Sequence, residues 1–243
     1  MPDNDEWLSA PEVSQQTRFR IEKRRIDWRL GRWTAKHAIA GYMELEPDRR
    51  VLSRIEIRAK STGVPEALLQ HEPAPVAISL SHSGGKAICA IAPNKLRLGC
   101  DIELVEPRLD SFVRDYFTYK EQLQIEHLRP NLRPSLITLF WSAKESTLKA
   151  LGTGLRRDTR SVSVNSIGTN VIEELAAFDL VRTPINGWLR LETTDDFGEN
   201  FQGWWRCADG FVRTVIADTY LDLPTQLHEA GEPTSTSLCL PRL

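Results

Sequence analysis

The pattern of apolar residues predicts long helices alternating with short strands. Apolar side chains between residues 135 and 151 fall on one stripe of a helical wheel: Ile137, Phe140, Trp141, Leu148 and Leu151. An arginine-rich helix is predicted over residues 18–45, a short helix or turn over 109–116, and a helix over 118–127. Alternating or apolar runs bounded by turn residues predict strands at 51–59, 76–83, 86–92, 96–106, 161–165, 188–194, 201–208 and 211–220.

The order of these elements predicts an α+β (α/β) fold with two similar lobes. Each half shows a helix followed by several strands, while residues 171–180 are ambiguous between helix and strand. We therefore expect two similar lobes that face each other, each a helix packed on a small, mainly antiparallel sheet. The expected boundaries are 1–16 for a flexible N-terminal arm, 17–108 and 109–222 for the lobes, and 223–243 for a disordered tail.

Composition excludes several classes of protein. The 31 basic and 33 acidic residues give a formal net charge of -2, so any basic site must be local and a nucleic acid is not an expected partner. The acidic start of the chain lacks the apolar region of a signal peptide, and no apolar run approaches membrane-spanning length. The four cysteines show no metal-ligand spacing. We expect a cytoplasmic protein with free thiols and no membrane partner.

The helix at 135–151 carries charge on its apolar side. Lys144 falls inside the apolar stripe, Glu145 at its edge, and Lys149 one turn beyond Glu145. Buried charge requires a partner. The sequence leaves two interpretations open: an internal salt bridge, or contacts to a metal ion and a phosphorylated ligand.

Two carboxylates lie two residues apart in a predicted strand. Asp101 and Glu103 should therefore point to the same face, with Cys100 and Ile102 on the other. With Glu145 as a third carboxylate they could hold Mg²⁺, which prefers oxygen ligands and phosphate. Such a pair on a strand edge is also commonly inert.

Two further groups could contact phosphate. Ser81 and His82 precede the turn glycines Gly84 and Gly85, where hydroxyl groups hold phosphate or only stabilise the turn. The arginine-rich helix presents a basic stripe that is either a solvated face or an anion site, and it consists of Arg25, Arg29, Arg32 and Lys36. There is no G-x-S-x-G elbow, Walker A motif, H-E-x-x-H or G-x-G-x-x-G. Together the groups suit a Mg²⁺-bound phosphoanhydride.

These motifs resemble, in their order, those of the 4'-phosphopantetheinyl transferase superfamily, in its surfactin-synthetase-activating (Sfp-like) branch. The matching segments are LGRWTAK (30–36), SLSHSGG (79–85), GCDIE (99–103) and FWSAKESTLK (140–149), followed by GTGL (152–155). The resemblance covers residues 25–155, and only the general character of the remainder matches.

The resemblance implies a pseudo-twofold pair of lobes with coenzyme A bound between them, acting as a monomer. It implies transfer of the 4'-phosphopantetheine arm to a serine of an apo acyl or peptidyl carrier protein, releasing adenosine 3',5'-bisphosphate. Asp101, Glu103 and Glu145 match the family's Mg²⁺ ligands, and Glu145 is the candidate base. Ser81, His82, Lys36 and Lys149 match coenzyme A contacts, with Arg25 and Arg32 as neighbours. Lys144 is a further candidate for a coenzyme A phosphate.

Other functions remain open at this point. One is a Mg²⁺-dependent phosphatase or nucleotidase acting on coenzyme A-like substrates, and another is a coenzyme A-binding relative without turnover. The segment 109–133 is a candidate docking surface for the carrier, although its aromatic residues could equally form core. Fatty-acid, polyketide and nonribosomal peptide carriers cannot be separated on these motifs.

Overall fold

A computed structural model of the chain describes residues 1–167, 187–227 and 235–239. The chain divides into two compact units. The first unit contains Met1–Leu96 and Pro224–Leu243, and the second contains Arg97–Leu223. The strand that carries Asp101 thus lies in the second unit, although the expected lobe boundary follows residue 108. The ambiguous segment 171–180 lies outside the described residues.

The first unit joins a long helix to a small sheet. Its elements are α1 (Ala10–Gln16), α2 (Glu22–Tyr42), α3 (Arg49–Leu52), β1 (Ile55–Ala59), β2 (Pro65–Leu69), β3 (Glu72–Pro73), β4 (Val76–Ser83), β5 (Lys86–Pro93), β11 (Thr225–Leu227) and β12 (Ser235–Cys239). The strands form a three-stranded sheet β1-β2-β3 and a four-stranded sheet β11-β12-β5-β4. Helix α2 packs on the four-stranded sheet.

The N-terminal arm and the described part of the C-terminal tail are more structured than the sequence predicts. The expected flexible arm contains α1, and Trp7 is completely buried in the core of the first unit. Arg29 fixes the arm, because its Nη2 donates hydrogen bonds to the main-chain carbonyls of residues 2, 3 and 4. In the expected disordered tail, β12 pairs in parallel with β5. Polar composition predicts disorder only where no such anchor exists.

The predicted strand at 51–59 is shorter than expected. Residues Arg49–Leu52 instead form the single helical turn α3. Asp48 caps this turn by accepting a hydrogen bond from the main-chain N–H of Val51 at 2.7 Å. Aspartate at the N-cap satisfies a helix donor that would otherwise lack a partner, so the strand begins only at Ile55.

The second unit places one helix on a five-stranded sheet. Its elements are β6 (Leu98–Leu104), α4 (Asp110–Tyr116), α5 (Tyr119–His127), α6 (Arg133–Ala150), β7 (Val162–Ser166), β8 (Leu189–Asp195), β9 (Asn200–Ala208) and β10 (Phe211–Ala217). The strands pair in the antiparallel order β6-β10-β9-β8-β7. The predicted α+β class, with helices on small mainly antiparallel sheets, is therefore confirmed.

Gly99 allows α6 to lie directly on the sheet. A Cβ atom at this position would stand 1.8 Å from the carbonyl oxygen of Ser146, which no side chain could tolerate. Small hydroxyl residues fill the same interface: Ser142 and Ser146 each hydrogen-bond Thr214, at 2.9 and 2.6 Å. No helix within the described ranges is long and apolar enough to cross a membrane.

Candidate active site

Asp101 and Glu103 project from the face of β6 that α6 covers. Asp101 pairs in register with Thr214 and Glu103 with Val212, both on β10. The predicted alternation is therefore confirmed, since Cys100 occupies the opposite face. Along this face, Gly99 lies under the helix, Asp101 is completely buried, and Glu103 is partly exposed at the edge.

Lys149 joins the strand to the helix. Its Nζ donates to Asp101 Oδ1 at 2.7 Å and to the carbonyl oxygen of Cys100 at 3.0 Å, and it lies 3.6 Å from Glu145 Oε2. Burial alone would lower the pKa of Lys149, but Asp101 and Glu145 raise it overall. The lysine therefore stays charged, and 26% of its side chain is exposed.

Glu145 has the pKa of a group that exchanges protons near neutral pH. Burial first, and then the negative charge of Asp101, raise its pKa to about 7, with a smaller contribution from Glu103. Lys149 acts in the opposite direction. Only 17% of the side chain is exposed. A carboxylate with this pKa and partial access is suited to accept a proton from an incoming hydroxyl group.

Arg108 is a neighbour of the site that the motifs do not reveal. Its Nη2 lies 3.6 Å from Glu103 Oε2, and its Nη1 lies 3.1 Å from Glu106 Oε1. The feature of the sequence that could have indicated this arginine is its position directly after Pro107, shortly beyond the end of β6. Its guanidinium group also lies over the ring of Phe112, at 5.2 Å from the centroid.

The chemistry of the three carboxylates fits Mg²⁺. Asp101, Glu103 and Glu145 interact closely enough that the first two raise the pKa of the third, and Lys149 offsets only one of their charges. Within the described residues, however, no group of three or more His, Cys, Asp or Glu side chains is arranged to hold a metal ion. Mg²⁺ commonly uses one or two carboxylates together with water and substrate phosphates, so a complete protein cage is not required.

The hairpin with Ser81 and His82 forms as predicted in the first unit. Strands β4 and β5 pair from Val76 to Ser83, and Gly84 and Gly85 make the turn with φ angles of 55° and 77°. His82 is exposed at the end of the hairpin, and Ser81 is half-buried.

The basic stripe of α2 serves mainly to hold the N-terminal arm. Arg29 contacts Asp5, and Arg32 lies 3.8 Å from Glu12, with a pKa that burial lowers. Arg25 is about half exposed, at 48%, and lies 3.9 Å from Glu22. Of the three arginines, Arg25 is thus the most accessible to a ligand.

Lys36 and Lys144 require a correction, because the structure does not place either where a ligand could reach it. Lys36 is completely buried, 2.6 Å from Glu12, and donates to two main-chain carbonyls. Lys144 is completely buried, 2.9 Å from Glu121, and also donates to two main-chain carbonyls. Of the two interpretations left open, Lys144 follows the internal salt bridge.

Comparison with known proteins supports the resemblance drawn from the motifs. Residues 97–185 match the 4'-phosphopantetheinyl transferase superfamily. The chain is similar to the 4'-phosphopantetheinyl transferase HetI of Nostoc sp., with 26% identity over 152 residues that make up 62% of each chain. It is also similar to the 4'-phosphopantetheinyl transferase AcpT of Salmonella typhimurium, with 32% identity over 81 residues, or 32% of this chain and 42% of the relative. The chain thus spans less than two thirds of either relative, and the predicted resemblance to the superfamily is confirmed for residues 97–185.

Proposed function

We propose that this chain, whose residues 97–185 match the 4'-phosphopantetheinyl transferase superfamily, transfers the 4'-phosphopantetheine arm of coenzyme A to a serine of an apo carrier protein. The observation that carries the proposal is the position of Lys149, which lies between the buried Asp101 and a Glu145 whose pKa is about 7. This arrangement places a fixed positive charge beside a carboxylate that can accept a proton.

The proposed reaction is an in-line displacement at phosphorus. The serine oxygen forms a bond to the phosphorus of the phosphopantetheine arm, the phosphoanhydride bond to the adenylate side breaks, and adenosine 3',5'-bisphosphate leaves with the bonding electrons. Glu145 takes the serine proton. Lys149 stabilises the negative charge that develops on the bridging oxygen, and because it is already held by Asp101 it needs little reorganisation.

Mg²⁺ would be held by Asp101, Glu103 and Glu145, where it would neutralise charge on the pyrophosphate. Arg108 beside Glu103 adds positive charge at the same edge of β6. Glu145 would then act as base or orient a water molecule that does so. The donor chemistry and the unbalanced negative charge support this assignment.

We assign the phosphates of coenzyme A to accessible residues of the first unit. His82 is exposed, Ser81 is half-buried, and Arg25 is about half exposed. Arg32 is a weaker candidate, since its guanidinium group lies over the ring of Trp28 and close to Glu12. Lys36 and Lys144 are left out because both are saturated by internal partners.

An exposed apolar surface on the second unit is the proposed carrier-docking site. Leu109 and Tyr119, at the starts of α4 and α5, are 78% and 75% exposed, and Tyr116 is also exposed. Phe117, by contrast, is completely buried and belongs to the core. Lys120 adds exposed positive charge next to Tyr119. Carrier domains are typically small acidic helical bundles. An apolar surface with basic neighbours is complementary to them.

We further propose that the protein acts as a monomer in the cytoplasm. All four cysteines are free, and three of them are buried. Free thiols are typical of a reducing compartment.

The test is to incubate the protein with coenzyme A, MgCl₂ and an apo carrier domain, and to weigh the carrier by mass spectrometry. We expect a mass gain of one phosphopantetheine arm that disappears when the acceptor serine of the carrier is changed to alanine. The matched enzyme control is Glu145→Gln, which keeps the shape of the side chain and should slow transfer about 10²–10⁴-fold. No gain with several carriers, together with release of free phosphate or phosphopantetheine, would instead show a phosphatase.

A further inference from the structure

Two arginines lie opposite each other on the sheet face that α6 does not cover. Arg206 of β9 and Arg213 of β10 are partners in register. Arg213 also pairs with Ile102 of β6, so it points away from the face that bears Asp101. The two arginines are therefore separate from the carboxylate site.

The two arginines have few partners for their charge. Arg213 is 8% exposed and donates one hydrogen bond, from Nη1 to the carbonyl oxygen of Ala208 at 3.2 Å. The Nε of Arg206 is buried and makes no hydrogen bond. Across the described part of the chain, neither guanidinium group forms a salt bridge with a carboxylate. Arg97 shows the contrast, because it pairs with both Glu199 and Asp218.

The pair is electrostatically unfavourable as it stands. Burial lowers the pKa of Arg213, Asp209 raises it, and the neighbouring Arg206 lowers it further. Like charges directly opposite on neighbouring strands destabilise a sheet. An arginine nevertheless stays protonated, so the charge has to be balanced by something other than loss of the proton.

A third arginine extends the basic face. Arg190 of β8 pairs in register with Trp204, which lies two residues before Arg206 on β9. Its guanidinium group lies 3.8 Å from the ring centroid of Trp204 and donates to the carbonyl oxygen of Leu221. Arg190 is thus held in place without a carboxylate and adds positive potential beside Arg206.

We propose that Arg206 and Arg213 form a binding site for a phosphate group, independent of the carboxylate site and of the transfer reaction. Two guanidinium groups balance the charge of a phosphate dianion, and arginine binds phosphate through paired N–H donors. The buried Nε of Arg206 supplies a donor that is already desolvated, and the partial exposure of Arg206 gives the anion access. The phosphate is either free or carried by a nucleotide.

The test measures thermal unfolding of the full chain in sodium phosphate and in sodium chloride of equal ionic strength. We expect phosphate to raise the melting temperature of the wild type more than chloride does. Arg206→Gln and Arg213→Met should each make this difference smaller, leaving only the general stabilisation that phosphate gives by exclusion from the protein surface. Each should also weaken phosphate binding, measured by calorimetry, at least tenfold. Arg160→Gln is the matched control in the same unit, because Arg160 is exposed and paired with Asp158, and it should behave as the wild type.

Further measurements keep the test decisive. Lys149→Gln should retain the phosphate effect, which separates this site from the proposed active site. A parallel titration with adenosine monophosphate, run on the wild type and on Arg206→Gln, distinguishes the sources. For the binding that Arg206→Gln loses, a higher affinity for the nucleotide than for inorganic phosphate indicates a nucleotide, and a lower affinity indicates the free anion. Without phosphate, Arg213→Met should be at least as stable as the wild type, because the repulsion is removed. Equal responses of the wild type to both salts, or an unchanged response in Arg206→Gln, would overturn the proposal.

Discussion

Lys144 and Glu121 form a completely buried ion pair, with 2.9 Å between Nζ and Oε2. Glu121 is the third residue of α5, the short helix before α6, and it accepts hydrogen bonds from the main-chain N–H groups of Thr118 and Val164. One carboxylate thus caps its own helix, bonds to the middle of β7 and neutralises a lysine of α6. Both of its oxygens have internal partners.

The first unit contains an equivalent buried ion pair between a short helix and the long helix. Glu12 is the third residue of α1, the short helix before α2, and it lies 2.6 Å from Lys36 of α2. It accepts hydrogen bonds from the main-chain N–H groups of Ser9 and Ile57, the second of which belongs to β1. In each unit, a glutamate of a short helix pairs with a buried lysine of the long helix and accepts a hydrogen bond from a strand. This shared arrangement supports the expected similarity of the two units.

We predict that Lys144→Met destabilises the protein without affecting substrate binding. Removing the ammonium group leaves a buried carboxylate without its cation, so the free energy of unfolding in urea should fall by about 3–5 kcal/mol. The control is Lys120→Met, because Lys120 is exposed and adjacent to Glu121. This substitution should change the free energy of unfolding by less than about 0.5 kcal/mol. The KM for coenzyme A, measured on folded protein, should stay at the wild-type value in Lys144→Met. A raised KM would restore Lys144 as a ligand contact.

Lys149 should have both a structural and a catalytic role, which two variants can separate. Lys149→Met leaves Asp101 buried without its cation and should lower both stability and transfer rate. Adding Asp101→Asn removes the uncompensated charge. We expect the double variant to recover most of the stability in urea unfolding while its transfer stays slower than that of Asp101→Asn alone, which is the control for losing a proposed Mg²⁺ ligand. Transfer equal to that of Asp101→Asn, together with recovered stability, would show that Lys149 only maintains the fold.

The raised pKa of Glu145 makes a prediction for the metal-free protein. Because its pKa is about 7 in the folded state and 4.5 in a model side chain, the folded protein holds this proton more tightly. The resulting stabilisation is complete below pH 4.5 and disappears as the pH rises through about 7. Its full size is up to roughly 3 kcal/mol. The free energy of unfolding, measured in urea with EDTA at several pH values, should show this decline. In Glu145→Gln the decline should be smaller, because the contribution of Glu145 is absent. Identical pH profiles for the two proteins would contradict the assigned pKa.

Two glycines should respond in opposite ways to the same substitution. Gly99→Ala places a Cβ 1.8 Å from the Ser146 carbonyl oxygen, so α6 must move, and we expect loss of several kcal/mol or failure to fold. Gly31, in the middle of α2, has no atom within 4 Å of the corresponding position. Gly31→Ala should therefore stabilise the helix by up to about 1 kcal/mol. Thermal unfolding of both variants checks the pair, and destabilisation by Gly31→Ala would mean that its surroundings are tighter than the structure shows.

The sequence predicted those parts of the site that depend on local periodicity. Alternation along β6 placed Asp101 and Glu103 on one face, and helical spacing placed Glu145 beside Lys149. It did not predict that Glu121 neutralises Lys144, because that partner lies on another helix and no short-range pattern connects them. Arg108 was missed for the same reason, since its contact with Glu103 depends on how the chain turns after Pro107.

The N-terminal arm was misjudged for a different physical reason. Polar composition averages over many residues, whereas one buried indole, that of Trp7, is enough to anchor the segment. The main-chain carbonyls that bind Arg29 are present in every residue and so leave no trace in the sequence. A row of basic residues on a helix can therefore bind another segment of the same chain as readily as it binds an anion.

The fixed arm has a practical consequence for producing the protein. A shortened version that begins at Arg18 would lack Trp7 and Glu12, and the Lys36 ammonium group would remain in the core without its counter-charge. A purification tag fused directly before Pro2 would be tethered beside the carbonyl groups that Arg29 holds. Deleting the first residues as dispensable would thus remove part of the core of the first unit, and insoluble material from such a deletion would say nothing about the proposed function.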